Sequence, residues 1–143
     1  MKLYSTKNHD LSVDFETAVF NSLPADKGLY MPTVFPQLPA EVIAGWDKKT
    51  LPEIAFDLAY ALLQDDISAE ELKAIIDEAA NFDAPLVPLD KDVFVLELFH
   101  GPSLAFKDFG GRFMSRIMSH FLKKEHKEVR ILVATSGDTG GAV

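Results

Sequence analysis

The chain has 143 residues, 48% of them hydrophobic and 25% charged, with a formal net charge of −8 and no cysteine. That length fits one domain able to bury about two-thirds of its surface, and the composition is that of a globular chain and not a disordered one. The negative charge argues against broad nucleic-acid binding, and the missing cysteines exclude disulfides, thiolate metal sites and cysteine nucleophiles.

Met1 to Leu11 is polar and mixed and lacks a signal-peptide core. No apolar run approaches membrane-span length, so a cytoplasmic location without membrane association is expected. Ser12 to Leu23 reads as a short helix with Phe15, Ala18 and Val19 on one face. Pro24 to Gly28 reads as a turn, with Gly28 free to take positive φ. Met31 to Pro39 carries three prolines and is expected to be extended and irregular.

Two helices follow with start signals. Thr50-Leu51-Pro52-Glu53 and Ser68-Ala69-Glu70-Glu71 both fit a capping box. The first helix carries Ile54, Phe56, Leu58, Leu62 and Leu63; the second aligns Leu72, Ile75, Ile76 and Ala79 as a core stripe. Asp65 and Asp66, between them, read as loop solvation.

Around Asn81 to Lys91, Pro85 and Pro88 punctuate the chain. The expected division is a mainly helical domain over 1–84 and the start of a second domain over 85–143. Val93 to Phe99 reads as a buried strand that His100-Gly101-Pro102-Ser103 breaks. A helix follows with Phe109, Phe113, Met114, Ile117, Met118 and Phe121 inward, and Lys123 and Lys124 favourably placed near its negative end. Lys123, Lys124 and Lys127, mixed with Glu125 and Glu128, read as a solvated helix end and not a nucleic-acid patch. Val129 to Ala134 reads as a second buried strand. Strand, helix and strand predict the first βαβ unit of a parallel sheet, right-handed in its crossover. The class is therefore α/β. Such a sheet needs neighbours on its edges, and the chain stops just after a loop that opens a helix. The expectation is a piece of a longer polypeptide, the remainder of which is its partner.

Two segments can carry chemistry. In His100-Gly101-Pro102-Ser103-Leu104-Ala105-Phe106-Lys107-Asp108, a lysine stands near a helix start among apolar neighbours. The helix dipole and desolvation both disfavour its charged form, and a neutral amine is what a Schiff base requires. An ordinary exposed helix lysine is the plainer reading of these residues. In Ser136-Gly137-Asp138-Thr139-Gly140-Gly141, a glycine-rich loop at a strand's C-terminal end presents backbone N–H groups to a phosphate or carboxylate. A plain strand-to-helix turn fits equally well. The glycine spacing matches neither a Walker loop nor a dinucleotide fingerprint. No histidines fall at i, i+4, so no helical zinc site and no other metal site is expected; there is no Gly-x-Ser-x-Gly elbow.

Together these residues resemble the threonine synthase family. Tyr4-Ser5-Thr6-Lys7-Asn8, with Phe15, Ala18 and Gly28-Leu29-Tyr30-Met31-Pro32, is similar to that family's amino-terminal subdomain and separates it from relatives sharing the fold. His100 to Asp108 resembles its cofactor-lysine segment. Ala134 to Gly140 resembles its substrate-side loop. The last two, at this separation, are the most specific, and the resemblance spans the chain.

The resemblance implies a tryptophan-synthase-like pyridoxal phosphate enzyme, a carbon-oxygen lyase that converts O-phosphohomoserine and water to threonine and phosphate in threonine biosynthesis. It implies Lys107 as catalytic Schiff-base residue, Lys107, Phe106 and Asp138 at the cofactor, and Thr135, Ser136, Gly137, Asp138 and Thr139 at the substrate. Related enzymes often carry Asn at the Asp138 position, where it bonds the cofactor's ring hydroxyl; the acid here departs from that pattern. The cofactor's phosphate grip is implied beyond residue 143, so residues 1–143 alone are expected to be inactive. Two rival readings are a dehydratase or phospho-lyase of the same group and a non-catalytic anion-binding domain.

Overall fold

The computed structural model describes residues 1–125 and 128–143; Lys127, read above as part of a solvated helix end, and His126 lie outside the described residues. It is mixed helix and sheet, as expected, and divides into two compact units, Met1–Lys73 and Ala74–Val143.

The first unit opens with a sheet where no strand was expected. Strands β1 (Lys2–Ser5), β2 (Asn8–Asp14) and β3 (Tyr30–Pro32) lie in the order β2-β1-β3, both pairings antiparallel. Leu3 pairs with Val13 on one side and Pro32 on the other. Alternation puts Leu3 and Ser5 on the buried face of the central strand. Ser12 to Asp14 therefore belong to a strand and not to the expected helix start. Leu11 and Val13 alternate with exposed Ser12 and Asp14, which is strand period and not helix period. Helix α1 is shorter, Phe15–Asn21, and Asp14 caps it by accepting from Thr17 N at 2.8 Å.

The turn at Pro24 to Gly28 forms, with Lys27 N–H donating to Pro24 O. The positive φ sits at Lys27 (60°) and not at Gly28. Gly28 serves close approach instead: a Cβ there would lie 2.3 Å from Ser5 Oγ. Beyond β3 the proline stretch has no regular structure until α2 (Ala40–Ala44) and a 3-10 turn at Trp46–Lys48.

Helices α3 (Leu51–Leu63) and α4 (Ala69–Ala79) start where the capping signals place them. The Glu53 carboxylate accepts from Thr50 N and Oγ1, both at 2.7 Å, and Ser68 Oγ accepts from Glu71 N. Leu72, Ile75, Ile76 and Ala79 are all buried; on α3 only Leu63 of the expected set is, and Leu58 is exposed.

In the second unit, β4 (Leu86–Asp90) and β5 (Val93–Leu96) form an antiparallel hairpin, Leu86 opposite Leu96 and Pro88 opposite Phe94, turning through Asp92 at φ 60°. The strand at Val93 is as expected, though shorter and exposed; its partner β4 was hidden by Pro85 and Pro88. A two-stranded ribbon has an open edge on each strand, and proline is tolerated on such edges. Helix α5 runs Lys107–Glu125 with Ile117 and Phe121 buried, while Met114, expected inward, is exposed. Val129 to Ala134 carries no ladder, and Leu132 is 95% exposed. The expected parallel pair is thus not formed. Strand identity requires a hydrogen-bonded neighbour, and this run has none among the described residues. A short helix α6 (Asp138–Ala142) follows. No helix among the described residues is long and apolar enough to cross a membrane.

Candidate active site

Lys107 is the first residue of α5, at the end of the turn made by Gly101 to Phe106. That turn is closed by Leu104 N donating to Gly101 O at 3.0 Å, with Leu104 at φ 59°. Asp108 N and Phe109 N donate to Ala105 O and Phe106 O and begin the helix. The turn carries Phe106 and Lys107 outward: Phe106 is 59% exposed, Lys107 is exposed, and Lys107 Nζ stands 5.5 Å from the Phe106 ring centroid. Its amine makes no ion pair among the described residues. The apolar burial expected around Lys107 is not present, because Leu104 and Phe106 project to the surface.

Behind the lysine the helix start is fastened on its inner side. Phe109 meets Phe82 edge-on at 4.8 Å. Arg112 donates to Ala79 O, Glu78 O and Asn81 Oδ1 at 3.1, 2.6 and 2.9 Å. His100, beside the turn, pairs with Glu97 at 2.6 Å and stacks on Phe99.

The glycine loop is held by its own threonine. Thr135 Oγ1 accepts from Gly137 N at 2.9 Å and Gly140 N at 3.1 Å. Gly137 stands at φ 139°, open only to glycine without strain. Two of the loop's N–H groups are thus already satisfied by Thr135. Ser136, Gly137 and Asp138 are exposed and Thr139 is half-buried. The loop and α6 lie against the lysine segment. A Cβ on Gly141 would be 3.8 Å from Ser103 Cβ, and one on Gly111 would be 3.2 Å from Ala142 O. The structure therefore brings both sequence-derived segments to the same end of α5.

Three residues at this place have a part that the sequence did not reveal, although two of them, Ser103 and Asp108, lie in the lysine segment. Asp108 is only 2% exposed and accepts from Ser103 N at 2.9 Å. Ser103 Oγ is buried with no hydrogen-bond partner among the described residues. Arg112 ties α5 to the end of α4. A polar residue in the first turn of a helix gives no periodic signal; its proximity to Gly101 could have hinted at Asp108.

Two clefts lie elsewhere. One of about 300 Å³ runs between α5 (Ser115, Met118, Leu122) and Val129 and Ile131. The other, about 460 Å³, is lined by residues including Lys2, Asp14, Val34 and Asp65. Neither includes Lys107 or the glycine loop.

An exposed amine with no ion pair among the described residues, at a helix start with an aromatic face beside it, suits a ligand with a carbonyl. These donors fit pyridoxal phosphate at its reactive carbon; among the described residues they do not include a phosphate grip. Fold and site together define a mixed helix-and-sheet protein that presents an exposed lysine at a helix start beside a glycine loop.

A family model described as "Threonine synthase N terminus" matches residues 2–80. The threonine synthase of Escherichia coli (strain K12) is 42% identical over 143 residues, covering all of this chain and 33% of that protein. The crystal structure of threonine synthase from Escherichia coli superposes with TM-score 0.90 at 40% identity, over 99% of this chain and 33% of its own. The X-ray structure of PLP-bound threonine synthase from Brucella melitensis gives 0.91 at 38%, over 99% and 32%. The chain belongs to the threonine synthase family and spans about a third of the length of these relatives.

Proposed function

We propose that the chain is the cofactor-anchoring N-terminal part of an enzyme that converts O-phosphohomoserine and water to threonine and phosphate with pyridoxal phosphate, a carbon-oxygen lyase of threonine biosynthesis. The observation that carries this is Lys107: an exposed amine without an ion-pair partner among the described residues, opening α5 at the end where the glycine loop also lies. The relatives' names and the PLP-bound Brucella melitensis structure support it.

When bound, the cofactor supplies an electron sink for charge developing beside the substrate's amine. Lys107 Nζ would hold the cofactor and, when free of it, would move protons at the substrate's Cα, Cβ and Cγ. The Phe106 ring lies beside that amine, its centroid 5.5 Å from Nζ. The loop from Thr135 to Thr139 faces the substrate: Thr135 shapes it from within, while Ser136, Gly137, Asp138 and Thr139 offer their remaining groups. Asp138 would also help to hold the cofactor. The division into a domain at 1–84 and the start of a cofactor domain at 85–143, a cytoplasmic setting, and the rest of a longer polypeptide as partner belong to the same reading. Residues 1–143 alone are expected not to turn over, since small cofactors are held by several convergent groups in an enclosed pocket.

An anion-binding module is disfavoured because Thr135 already occupies two loop N–H groups. The test uses the full-length protein with pyridoxal phosphate. Borohydride should trap the cofactor on Lys107, located by peptide mapping. Lys107→Ala should retain the circular dichroism spectrum and lose release of both phosphate and threonine. Trapping on another lysine refutes the assignment; phosphate without threonine in the unmodified protein indicates a phospho-lyase instead.

A further inference from the structure

Among the described residues, Ser5 and Asp108 are the buried polar side chains, at 0% and 2% exposure. A carboxylate taken from water is costly unless hydrogen bonds compensate it. Asp108 lies in the first turn of α5, where the helix's positive end favours it, and its Oδ2 accepts the Ser103 N–H at 2.9 Å. Gly101 closes over it: a Cβ there would stand 2.3 Å from Oδ2 and 2.7 Å from Asp108 Cβ. The carboxylate thus spans the turn from inside, while Phe106 and Lys107 occupy its outside. Ser103, gripped by its backbone, is also the residue facing Gly141 of α6, at 3.8 Å from where a Cβ on that glycine would be.

We propose that Asp108 is a positioning residue: through Ser103 N–H its carboxylate sets where Lys107 Nζ stands relative to the Gly137–Gly141 loop. The inference rests on the reading of Lys107 given above. One acceptor fixes both the turn that presents the lysine and the surface on which α6 sits. Losing it frees the turn without removing any group that touches substrate.

The experiment compares Asp108→Ala and Asp108→Asn in the full-length protein. Four readouts are used: kcat, the rate of borohydride trapping on Lys107, the pH dependence of the bound cofactor's visible absorbance, and amide exchange over 101–106 without cofactor. Asp108→Ala is expected to lower kcat about 10- to 100-fold, the scale for misplacing a reacting group by about 1 Å. It should also slow trapping, shift the absorbance profile and speed exchange. Asp108→Asn, whose amide oxygen accepts the same N–H, should recover most of each. Should Asp108→Ala prove insoluble, Gly101→Ala crowds the same carboxylate and should reproduce its effects. Wild-type kcat and trapping in Asp108→Ala or in Gly101→Ala overturns the proposal, whatever happens to stability. So does an Asp108→Asn variant as impaired as Asp108→Ala. Label on a different lysine overturns the Lys107 assignment itself, and this inference with it.

Discussion

Arg112→Ala should loosen the end of α4 from α5. The last carbonyls of a helix have no partner within it. At the end of α4, Glu78 O and Ala79 O receive donors from the Arg112 guanidinium at 2.6 and 3.1 Å, and Asn81 Oδ1 receives a third bond at 2.9 Å. The guanidinium also lies 5.8 Å from the Phe82 ring centroid. Hydrogen bonds to a charged group contribute about 1.5–3 kcal/mol each when well buried. Two of these three are solvent-exposed, so water replaces part of them when the arginine is removed. A net loss of about 2–3 kcal/mol follows. In urea unfolding that corresponds to a midpoint lowered by about 1–2 M at an ordinary slope. Arg112→Lys keeps a charge and one directed donor but not the planar fork, and should lose about half as much. Asn81→Ala combined with Arg112→Ala should cost less than the sum, because the two share a bond. A loss below about 0.5 kcal/mol for Arg112→Ala, the range of a surface substitution with no special role, would refute the clamp. So would an Arg112→Lys variant matching wild type.

The first unit yields two further expectations. Gly28→Ala puts a Cβ 2.3 Å from Ser5 Oγ and 3.2 Å from Lys7 N; overpacking of that kind costs about 1–3 kcal/mol, and Ser5→Ala in the same chain should return part of it in urea unfolding. No interaction between the two substitutions would refute the close approach. Asp14 has its carboxylate held below the usual range, chiefly by hydrogen bonding from the Thr17 side chain and then its backbone. A depressed folded-state value stabilises the fold above the unfolded one, near pH 4, and that contribution is lost as pH falls through the folded value. Asp14→Asn keeps a cap but does not titrate, so wild type should lose stability relative to it on acidification below about pH 4. Parallel acid-unfolding curves for the two proteins would contradict that.

Helices α3 and α4 were legible because their starts are local chemistry. Thr50 with Glu53 and Ser68 with Glu71 act across three residues, and the α4 stripe from Leu72 to Ala79 repeats at helical spacing. The sheets were less legible because strand identity depends on distant partners. Leu3 and Ser5 alternate on a strand of four residues, too short for periodicity to stand out. Pro88 read as a breaker, although it pairs opposite Phe94 on an edge strand. Val129 to Ala134 shows the converse: six apolar-rich residues with strand composition and no ladder.

The site divides along the same line. That Lys107 opens a helix, and that a glycine loop follows one helix later, are statements about local order, and both hold. That the lysine is exposed, that Thr135 consumes two of the loop's donors, and that a carboxylate lies buried beneath the turn depend on packing. Among the described residues, three features fix where the Lys107 amine stands: the Gly101–Phe106 turn, the carboxylate fastening that turn, and the arginine clamp one helical turn further along α5.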